Sequence, residues 1–422
     1  MNTKKILLII LFIIMVIAFG VLIYFVFIKD LVTPTNNANT NAATNTANAN
    51  GGLPNINSVA NLNRQTNGNV NGLVNITRPV NTNQVTPDTI AHGGITEATP
   101  VIDTKVQAVE PSATGDGLRY YDAFKGKFFI LDTNGKATEL SDQLFPDAKK
   151  IAWSPKDNKA IITFPDNSNI IYDFSTKTQL NLPKEWDNIE FSPTGDKIGF
   201  KNLSDDERSR WLAVSNPDGS AVQLIEPIGN EADNVAVNWS PGGQVVALFR
   251  DAVNGSSQEV LMIGLQGENF KSLNTSGRGF EGKWSPDGKQ LIYSTYGQDT
   301  NYNPSLHLVD ASGDQVGNND IALGLQTWVS RCAFSKGKTT VYCAVPNYLP
   351  TGSGFYPEAA GNTNDSIYQI NTITGEKSIL ALPTFFSGDR DYSIASVFLS
   401  NNEDNLYFTD STSGQLYGIK LR

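Results

Sequence analysis

The stretch GKWSPDGKQLIYS, residues 282–294, joins a short strand ending in an aromatic residue, a Ser-Pro-Asp-Gly turn and a second strand. Proline at the second turn position presets φ, aspartate bonds to the local backbone, and glycine accepts a positive φ at the exit. The residues after the turn are rich in β-branched and aromatic types, which favour strands. The pattern therefore predicts a β-hairpin whose turn covers residues 285–288.

Five other stretches repeat this hairpin pattern. They read IAWSPKDNKAIITF from Ile151, IEFSPTGDKIGF from Ile189, VNWSPGGQVVALF from Val237, CAFSKGKTTVYCA from Cys332 and VFLSNNEDNLYFT from Val397. A second strand–turn–strand follows each copy except the last, so that a unit contains four short strands, A to D. Units of about 40–50 residues with four strands are typical of β-propeller blades.

The repeats predict an all-β body over residues 99–422, a propeller of four-stranded blades. The strands are apolar with little polar alternation, which predicts sheets buried on both faces. A degenerate copy, AVEPSATGDGLRYYD from Ala108, raises the predicted blade number to seven, and six remain the alternative if this segment is a loop. The last copy stops after strand C at Arg422, so we expect TPVIDTKV, from Thr99, to supply its fourth strand and close the ring.

The N-terminal segment has a different composition. Residues 6–28 are apolar and uncharged, long enough for a transmembrane helix, and Lys4 and Lys5 before them predict a cytoplasmic N-terminus (residues 1–5). Residues 29–98 form an Asn/Thr-rich stretch predicted to be a disordered linker, either a searching tether or a passive spacer. A cleaved signal peptide is the alternative to the anchor, but residues 27–31 offer no small-x-small site. The chain is therefore expected to be a single-pass membrane protein with an extracytoplasmic propeller.

Charge and residue counts exclude several classes of function. The net charge is −10 and residues 96–422 carry about −13, which argues against nucleic acid as a partner because phosphate binding needs clustered Lys and Arg. The two histidines, His92 and His307, are too few for a His-cluster metal site. There is no Gly-x-Ser-x-Gly pentapeptide for a nucleophile elbow, and Trp284 replaces the Ser or Thr of a phosphate loop that would begin at Gly277. We predict no catalytic residues, no cofactor and no metal.

The WSPxG motif followed by an aliphatic strand resembles the TolB-type propellers, relatives of the WD-repeat class. The resemblance covers about 320 residues, and four copies keep Ser-Pro intact. It implies the propeller fold and is nearly silent on function. The TolB family also carries an N-terminal α/β domain that binds envelope partners. Here an anchor and linker take that place, so those contacts cannot be carried over.

The two cysteines flank one A–B hairpin. If residues 336–339 form the loop, Cys332 faces Cys343, and directly opposed positions allow a disulfide in an oxidising exterior. Two buried free thiols are the alternative.

Loop lengths indicate where a partner binds. The predicted B–C loops (201–210, 250–258, 295–304 and 346–366) and D–A loops (226–236, 317–331 and 381–396) are long, and in a propeller both classes lie on one face. Aromatic residues and arginine are enriched in interface hot spots. The candidate binding residues are Trp186, Tyr302, Trp328, Arg331, Tyr348, Phe355, Tyr356, Phe385, Phe386, Arg390 and Tyr392.

The sequence thus predicts a non-catalytic, membrane-anchored binding module for an envelope protein or cell-wall polymer. One alternative is an extracytoplasmic enzyme that processes glycans with carboxylates at the channel mouth, which needs two acidic side chains about 5–10 Å apart. Another is a structural component of envelope assembly.

Overall fold

The structure is a computed structural model that describes residues 86–115, 117–337, 339–361, 363–384 and 392–422. The predicted transmembrane helix at 6–28 and the linker up to residue 85 lie outside these residues. Among the residues described, no helix is both long and apolar enough to cross a membrane.

Strands of the described residues form seven sheets, which we number as blades in chain order. Blade 1 contains β3 Val106–Pro111, β4 Gly117–Asp122, β5 Lys127–Asp132 and β6 Ala137–Glu139, and blade 2 contains β7 Lys150–Trp153, β8 Lys159–Thr163, β9 Asn169–Asp173 and β10 Thr178–Leu182. Blade 3 contains β11 Trp186–Phe191, β12 Ile198–Asn202, β13 Trp211–Ser215 and β14 Gln223–Pro227. Blade 4 contains β15 Val235–Val237, β16 Val245–Asn254, β17 Ser257–Gly264 and β18 Leu273–Ser276. Each blade is an antiparallel meander of strands A to D, as the repeats predict.

Blades 5 to 7 contain the remaining strands. Blade 5 contains β19 Arg278–Trp284, β20 Gln290–Tyr296, β21 Pro304–Asp310 and β22 Ile321–Ala322. Blade 6 contains β23 Cys332–Phe334, β24 Thr340–Pro346, β25 Asp365–Asn371 and β26 Lys377–Thr384, with β1 Ile95–Glu97 from the N-terminal side as a fifth strand. Blade 7 contains β27 Ile394–Leu399, β28 Asn405–Asp410 and β29 Leu416–Lys420, with β2 Thr99–Ile102 from the N-terminal side. The loop predicted at 250–258 is instead the tip of the long β16–β17 hairpin, whose strands stay paired out to Asn254 and Ser257.

The repeated serine closes the turn between strands A and B. In four blades its hydroxyl oxygen accepts a hydrogen bond from the backbone N–H five residues later, at 3.0–3.1 Å; the serines are Ser192, Ser240, Ser285 and Ser400. A short side chain that bonds its own backbone favours a turn over a continued strand. This local bond explains why the Ser-Pro pattern marks each blade so regularly.

The hydrophobic core lies between neighbouring blades. Each of seven clusters of buried side chains combines residues from two adjacent sheets, and one joins Leu416 of blade 7 to Val106 and Tyr120 of blade 1. The aromatic residue before the turn serine packs toward the preceding blade: Trp153 Nε1 donates to Ala108 O at 2.6 Å. Because the last blade packs on the first, the ring is closed.

The ends of the body meet in blade 7. As predicted, β2 pairs antiparallel with β29, with Thr99 opposite Gly418. Gln415 Nε2 also donates to Asp103 O at 2.6 Å. The linker was predicted to reach residue 98, and here the structure differs, because β1 pairs in parallel with β26 at the outer edge of blade 6. Thr96 is fully buried there, so the ordered body begins before Thr99.

A buried polar residue at the start of strand C links three blades to the next one. Asn169 Nδ2 donates to Trp186 O at 2.8 Å, and Gln258 Oε1 accepts from Phe280 N at 3.0 Å. Asp365 Oδ2 accepts from the N–H of Ile394 at 2.7 Å. In every case the backbone partner belongs to strand A of the following blade. Buried backbone groups need such partners, so these residues fix the spacing between blades.

Blade 6 also carries a covalent link. Cys332 and Cys343 occupy opposed positions of β23 and β24, in the register expected from the sequence, and their Sγ atoms are bonded.

Candidate functional site

One face of the ring carries the elaborated loops, and we call it the loop face. Its B–C and D–A loops contain short 3-10 turns at Glu207–Ser209, Gly229–Asn234, Gln298–Thr300, Val329–Arg331 and Pro357–Ala360. The opposite face holds the serine turns and most of the short C–D turns. Binding residues collect on loops that a rigid scaffold holds, so the loop face is the place to look for a site.

The longest of these loops, residues 347–364 of blade 6, folds onto the B–C loop of blade 5. Gly352 N donates to Asn301 O at 2.9 Å, and Gly354 N donates to Tyr302 O at 2.8 Å. Ser353 N donates to the buried Asn303 Oδ1 at 3.2 Å. These bonds hold the two loops as one surface.

Four aromatic rings gather where the two loops meet. Phe355 lies 4.5 Å from Tyr296, 5.2 Å from Tyr302 and 6.5 Å from Tyr356, measured between ring centroids. Tyr302 is 39% exposed, Phe355 51% and Tyr356 70%. We call these four residues the aromatic patch; Tyr348, at 67% exposure, lies on the same loop. The patch presents apolar ring surface to solvent, which marks interaction sites when it is clustered.

Backbone geometry at the patch is demanding. Tyr302 has φ +55°, an uncommon value for a bulky residue, and Tyr302 N donates to Gly297 O at 2.7 Å. The Tyr296 ring fits between two glycines, because a Cβ added at Gly279 would come within 2.1 Å of it and one at Gly354 within 2.5 Å. Such constraints cost free energy and tend to persist at functional sites.

A cavity of about 180 Å³ opens beside the aromatic patch. Its lining includes Arg250, Glu281, Tyr296 and Trp328 from blades 4 to 6. Burial raises the pKa of the Glu281 carboxyl, and the positive charge of Arg250 opposes that rise. The Arg250 guanidinium is held by the carbonyl of Asp233 at 2.7 Å. The cavity therefore offers fixed donors and an acidic group next to apolar rings.

Trp328 and Arg331, two of the predicted binding residues, pack against the long loop of blade 6 and its neighbours inside the protein. Trp328 is 8% exposed and packs on Leu349 and Ala360, and the Arg331 guanidinium lies 4.7 Å from its ring centroid. Arg331 Nη1 donates to Asp365 Oδ2 at 3.0 Å. Burial raises the pKa of Asp365 to about 6, although Arg331 and two hydrogen bonds work against the shift. A buried ion pair thus ties the long loop to blades 6 and 7.

The other predicted residues are placed as follows. Trp186 is buried and stacks on Phe200, and Tyr392 is 1% exposed among Phe408 and Tyr417. Phe385, Phe386 and Arg390 lie outside the described residues. Thus Tyr302, Phe355 and Tyr356 come together, with Tyr348 on the same loop. Trp186, Trp328 and Tyr392 are buried, and the Arg331 side chain is 11% exposed.

The central channel carries a second group of charges, on the A strands. Glu110 of blade 1 interacts with Lys283 of blade 5, across the ring. Burial, and then the negative charge of Glu110, raise the pKa of Glu190 in blade 3 to about 7. Glu190 keeps solvent-accessible surface, so the desolvation comes from the protein groups packed around it and not from complete exclusion of water. Lys283 Nζ donates to Cys332 O at 2.6 Å. Among the described residues, no three His, Cys, Asp or Glu side chains are grouped to hold a metal ion.

These features define a seven-bladed β-propeller, and its loop face carries the candidate site. No protein-family model matches the sequence, and no curated protein matches it. Among solved structures, the β-propeller domain of Myceliophteria thermophila Cps50 (Swd1) is similar, with TM-score 0.52, 10% identity, and coverage of 77% of this chain and 100% of that one. Kuenenia stuttgartiensis hydrazine synthase aligns with TM-score 0.51, 13% identity, and coverage of 76% and 96%. An oligogalacturonate lyase in complex with manganese aligns at TM-score 0.46 and 13% identity, over 77% of this chain and 90% of that one. At these identities the likeness shows the fold alone.

Proposed function

We propose that this chain is a membrane-anchored, extracytoplasmic binding module without catalytic activity, which holds an envelope protein or cell-wall polymer on its loop face. The uncharged apolar stretch at 6–28 supports the anchor, and Lys4 and Lys5 support a cytoplasmic N-terminus. The Asn/Thr-rich linker would let the propeller reach partners away from the membrane. The WSPxG repeats support a TolB-type relationship within the propeller class.

The aromatic patch carries this proposal. Its exposed rings stand on two loops that bond to each other, and the buried Arg331–Asp365 pair anchors the longer loop. A surface held in place before binding loses little conformational entropy when a partner arrives. Aromatic anchors of this kind dominate the binding energy of many interfaces. The acidic body supports a partner other than nucleic acid.

Site-specific crosslinking in cells tests the proposal. A photoreactive phenylalanine analogue replaces Tyr356, which is 70% exposed on the loop face, or Ile373, which is 73% exposed in the C–D turn of the same blade on the opposite face. We expect an envelope adduct from position 356 and none from 373. The triple substitution Tyr302→Ser, Phe355→Ser and Tyr356→Ser should prevent the partner from co-purifying. Adducts from both positions, or from neither, would contradict a binding site at the patch.

A glycan-processing enzyme is the second candidate, and the channel carboxylates favour it. A carboxyl with a pKa of about 7, as for Glu190, suits a general acid, and its charge interacts with that of Glu110. Turnover of cell-wall glycans by the full chain, lost in Glu190→Gln and kept in the patch triple variant, would support the enzyme over the binding module.

A further inference from the structure

A second cavity, of about 330 Å³, lies on the loop face between blades 1 and 2, away from the loops of blades 5 and 6 that form the patch. Gln143 and Leu144, in the segment between β6 and β7, form one wall, and Gln179 and Asn181 of β10 form the other. Phe164 and Lys184 complete the part of the lining used below. The volume falls in the range of small-ligand sites, roughly 300–1,000 Å³.

The polar groups of this cleft form a chain of side-chain amides. Gln143 Nε2 donates to Gln179 Oε1 at 3.0 Å, and Gln179 Nε2 donates to Asn181 Oδ1 at 2.9 Å. At the two ends of the chain, the Gln143 Oε1 acceptor and the Asn181 Nδ2 donor have no hydrogen-bond partner within the described part of the protein. The cleft thus keeps an acceptor and a donor available to a ligand.

Charge in the cleft is balanced. Lys184 pairs with Asp166 at 2.9 Å, and nearby Lys177 pairs with Asp142 at 3.0 Å. Among the described residues around the cleft, these lysines and carboxylates are paired with each other, so a charged ligand would find no unmatched counter-charge. Because both lysines are paired, the side-chain amides are the main polar groups left for a ligand.

The apolar part of the cleft is firmly supported. Leu144 is 59% exposed at the rim, and the next residue, Phe145, is buried against Phe128, Tyr172 and Phe174. Phe145 N also donates to Gly126 O at 2.7 Å, which fixes this segment to blade 1. The amides and the leucine therefore stand on a floor that does not have to be rebuilt on binding.

We propose that this cleft binds a neutral oligosaccharide. Sugar hydroxyls both donate and accept, which matches an amide chain that ends in one acceptor and one donor, and the C–H face of a sugar ring suits Leu144 and Phe164. A peptide offers similar groups but would gain most by pairing with the edge backbone of β10 rather than with side chains on its face. This site is separate from the aromatic patch and does not depend on the proposed function.

The test titrates the full chain, in a detergent without sugar headgroups, with cellohexaose, hexa-N-acetylchitohexaose and an uncharged Asn/Gln-containing hexapeptide. We expect saturable binding of at least one hexasaccharide, weakened about tenfold or more by Gln179→Ala with Asn181→Ala. Gln223→Ala, an exposed glutamine on strand D of blade 3, is the matched control and should bind as the native chain does. Unfolding midpoints of the variants check that all are folded.

Several outcomes would overturn the proposal: no saturable binding of either hexasaccharide, binding that the double variant leaves unchanged, or binding of the hexapeptide alone. The patch triple variant should keep the hexasaccharide affinity. If only that variant loses it, the sugar belongs to the aromatic patch and the cleft is not its site. Failure here leaves the crosslinking result at Tyr356 untouched, so the two proposals can fail separately.

Discussion

Blades 2 and 6 both bond to the next blade through the first side chain of strand C, but the two side chains differ in chemistry. Asn169 in blade 2 is neutral and bonds three backbone carbonyls, of Asn167, Pro183 and Trp186. Asp365 in blade 6 is acidic and buried, and it needs Arg331 as a partner. The B–C turn of blade 2 spans only residues 164–168, whereas that of blade 6 spans 347–364. A charged anchor therefore accompanies the loop that carries the aromatic patch.

The difference shows where stability is concentrated. Blade 2 is held by its aromatic cluster and neutral hydrogen bonds, which suffice for a short turn. Blade 6 adds the Arg331–Asp365 ion pair, the disulfide and the fifth strand β1, three features that blade 2 does not have. We infer that the reinforcement keeps the long loop in place, because a loop of this length is costly to order.

The largest expected effect comes from removing the charged anchor. Asp365→Ala leaves the buried Arg331 guanidinium without its carboxylate, and we expect the free energy of unfolding to fall by about 3–5 kcal/mol. Asn169→Ala removes neutral hydrogen bonds at the equivalent position and should cost about 1–3 kcal/mol. Denaturant unfolding of both variants measures the difference. An Asp365→Ala cost at or below that of Asn169→Ala would remove the distinction between the blades.

The next effect concerns the disulfide, which has a direct counterpart in blade 2. The pair Cys332 and Cys343 occupies the register that Ile151 and Ile162 fill there. Replacing both cysteines by valine keeps apolar volume but removes the cross-link, and the free energy of unfolding should fall by about 2–4 kcal/mol. A reducing agent should lower the unfolding midpoint of the native chain and leave that of the variant unchanged. A midpoint insensitive to reductant would contradict a stabilising bond.

The features that all blades share were predictable from sequence, because they depend on contacts between residues close together in the chain. The turn serines bond within five residues of themselves, so they mark each blade, and the leftover strand C at Arg422 required the strand supplied from Thr99. The features particular to blade 6 depend on contacts between residues that are far apart in sequence. Asp365 finds Arg331 across 34 positions, and nothing near it in sequence shows that partner.

Aromatic residues illustrate the same limit within the candidate site. Tyr302, Phe355 and Tyr356 were predicted to be available and are exposed, but Trp328 and Tyr392 were predicted alongside them and are buried. An aromatic residue in a loop can either be exposed to a partner or pack inside the protein, and only the three-dimensional structure shows which. Gly354 carried a weak signal in the run Thr351-Gly-Ser-Gly-Phe355, where two glycines precede an aromatic pair.

A third prediction tests how the patch is held, using two glycines of the same loop. Gly354→Ala places a Cβ 2.5 Å from the Tyr296 ring, so the ring must move, and the free energy of unfolding should fall by about 1–3 kcal/mol. Gly352→Ala meets no atom within 4 Å and suffers only from its φ of +86°, at a cost of about 1 kcal/mol. Aromatic NMR signals of Tyr296 and Phe355 should shift in the first variant alone. Equal shifts in both would show that the glycines matter only for backbone freedom.

The smallest expected effect contrasts a carboxyl sealed between blades with one that faces channel water. Desolvation by the surrounding protein groups and the charge of Glu110 raise the pKa of Glu190 from 4.5 to about 7, so between these pH values the folded state holds a proton there that the unfolded state releases. The stability contribution is therefore present at low pH and is lost as the pH rises through 7. Glu190→Gln should raise the unfolding midpoint at pH 8 and change it little at pH 4.5. Because Glu190 keeps solvent-accessible surface, the stability gained by Glu190→Gln at pH 8 should be smaller than the stability lost by Asp365→Ala. A Glu190→Gln variant that is less stable than the native chain at pH 8 would show that the protein stabilises the Glu190 charge.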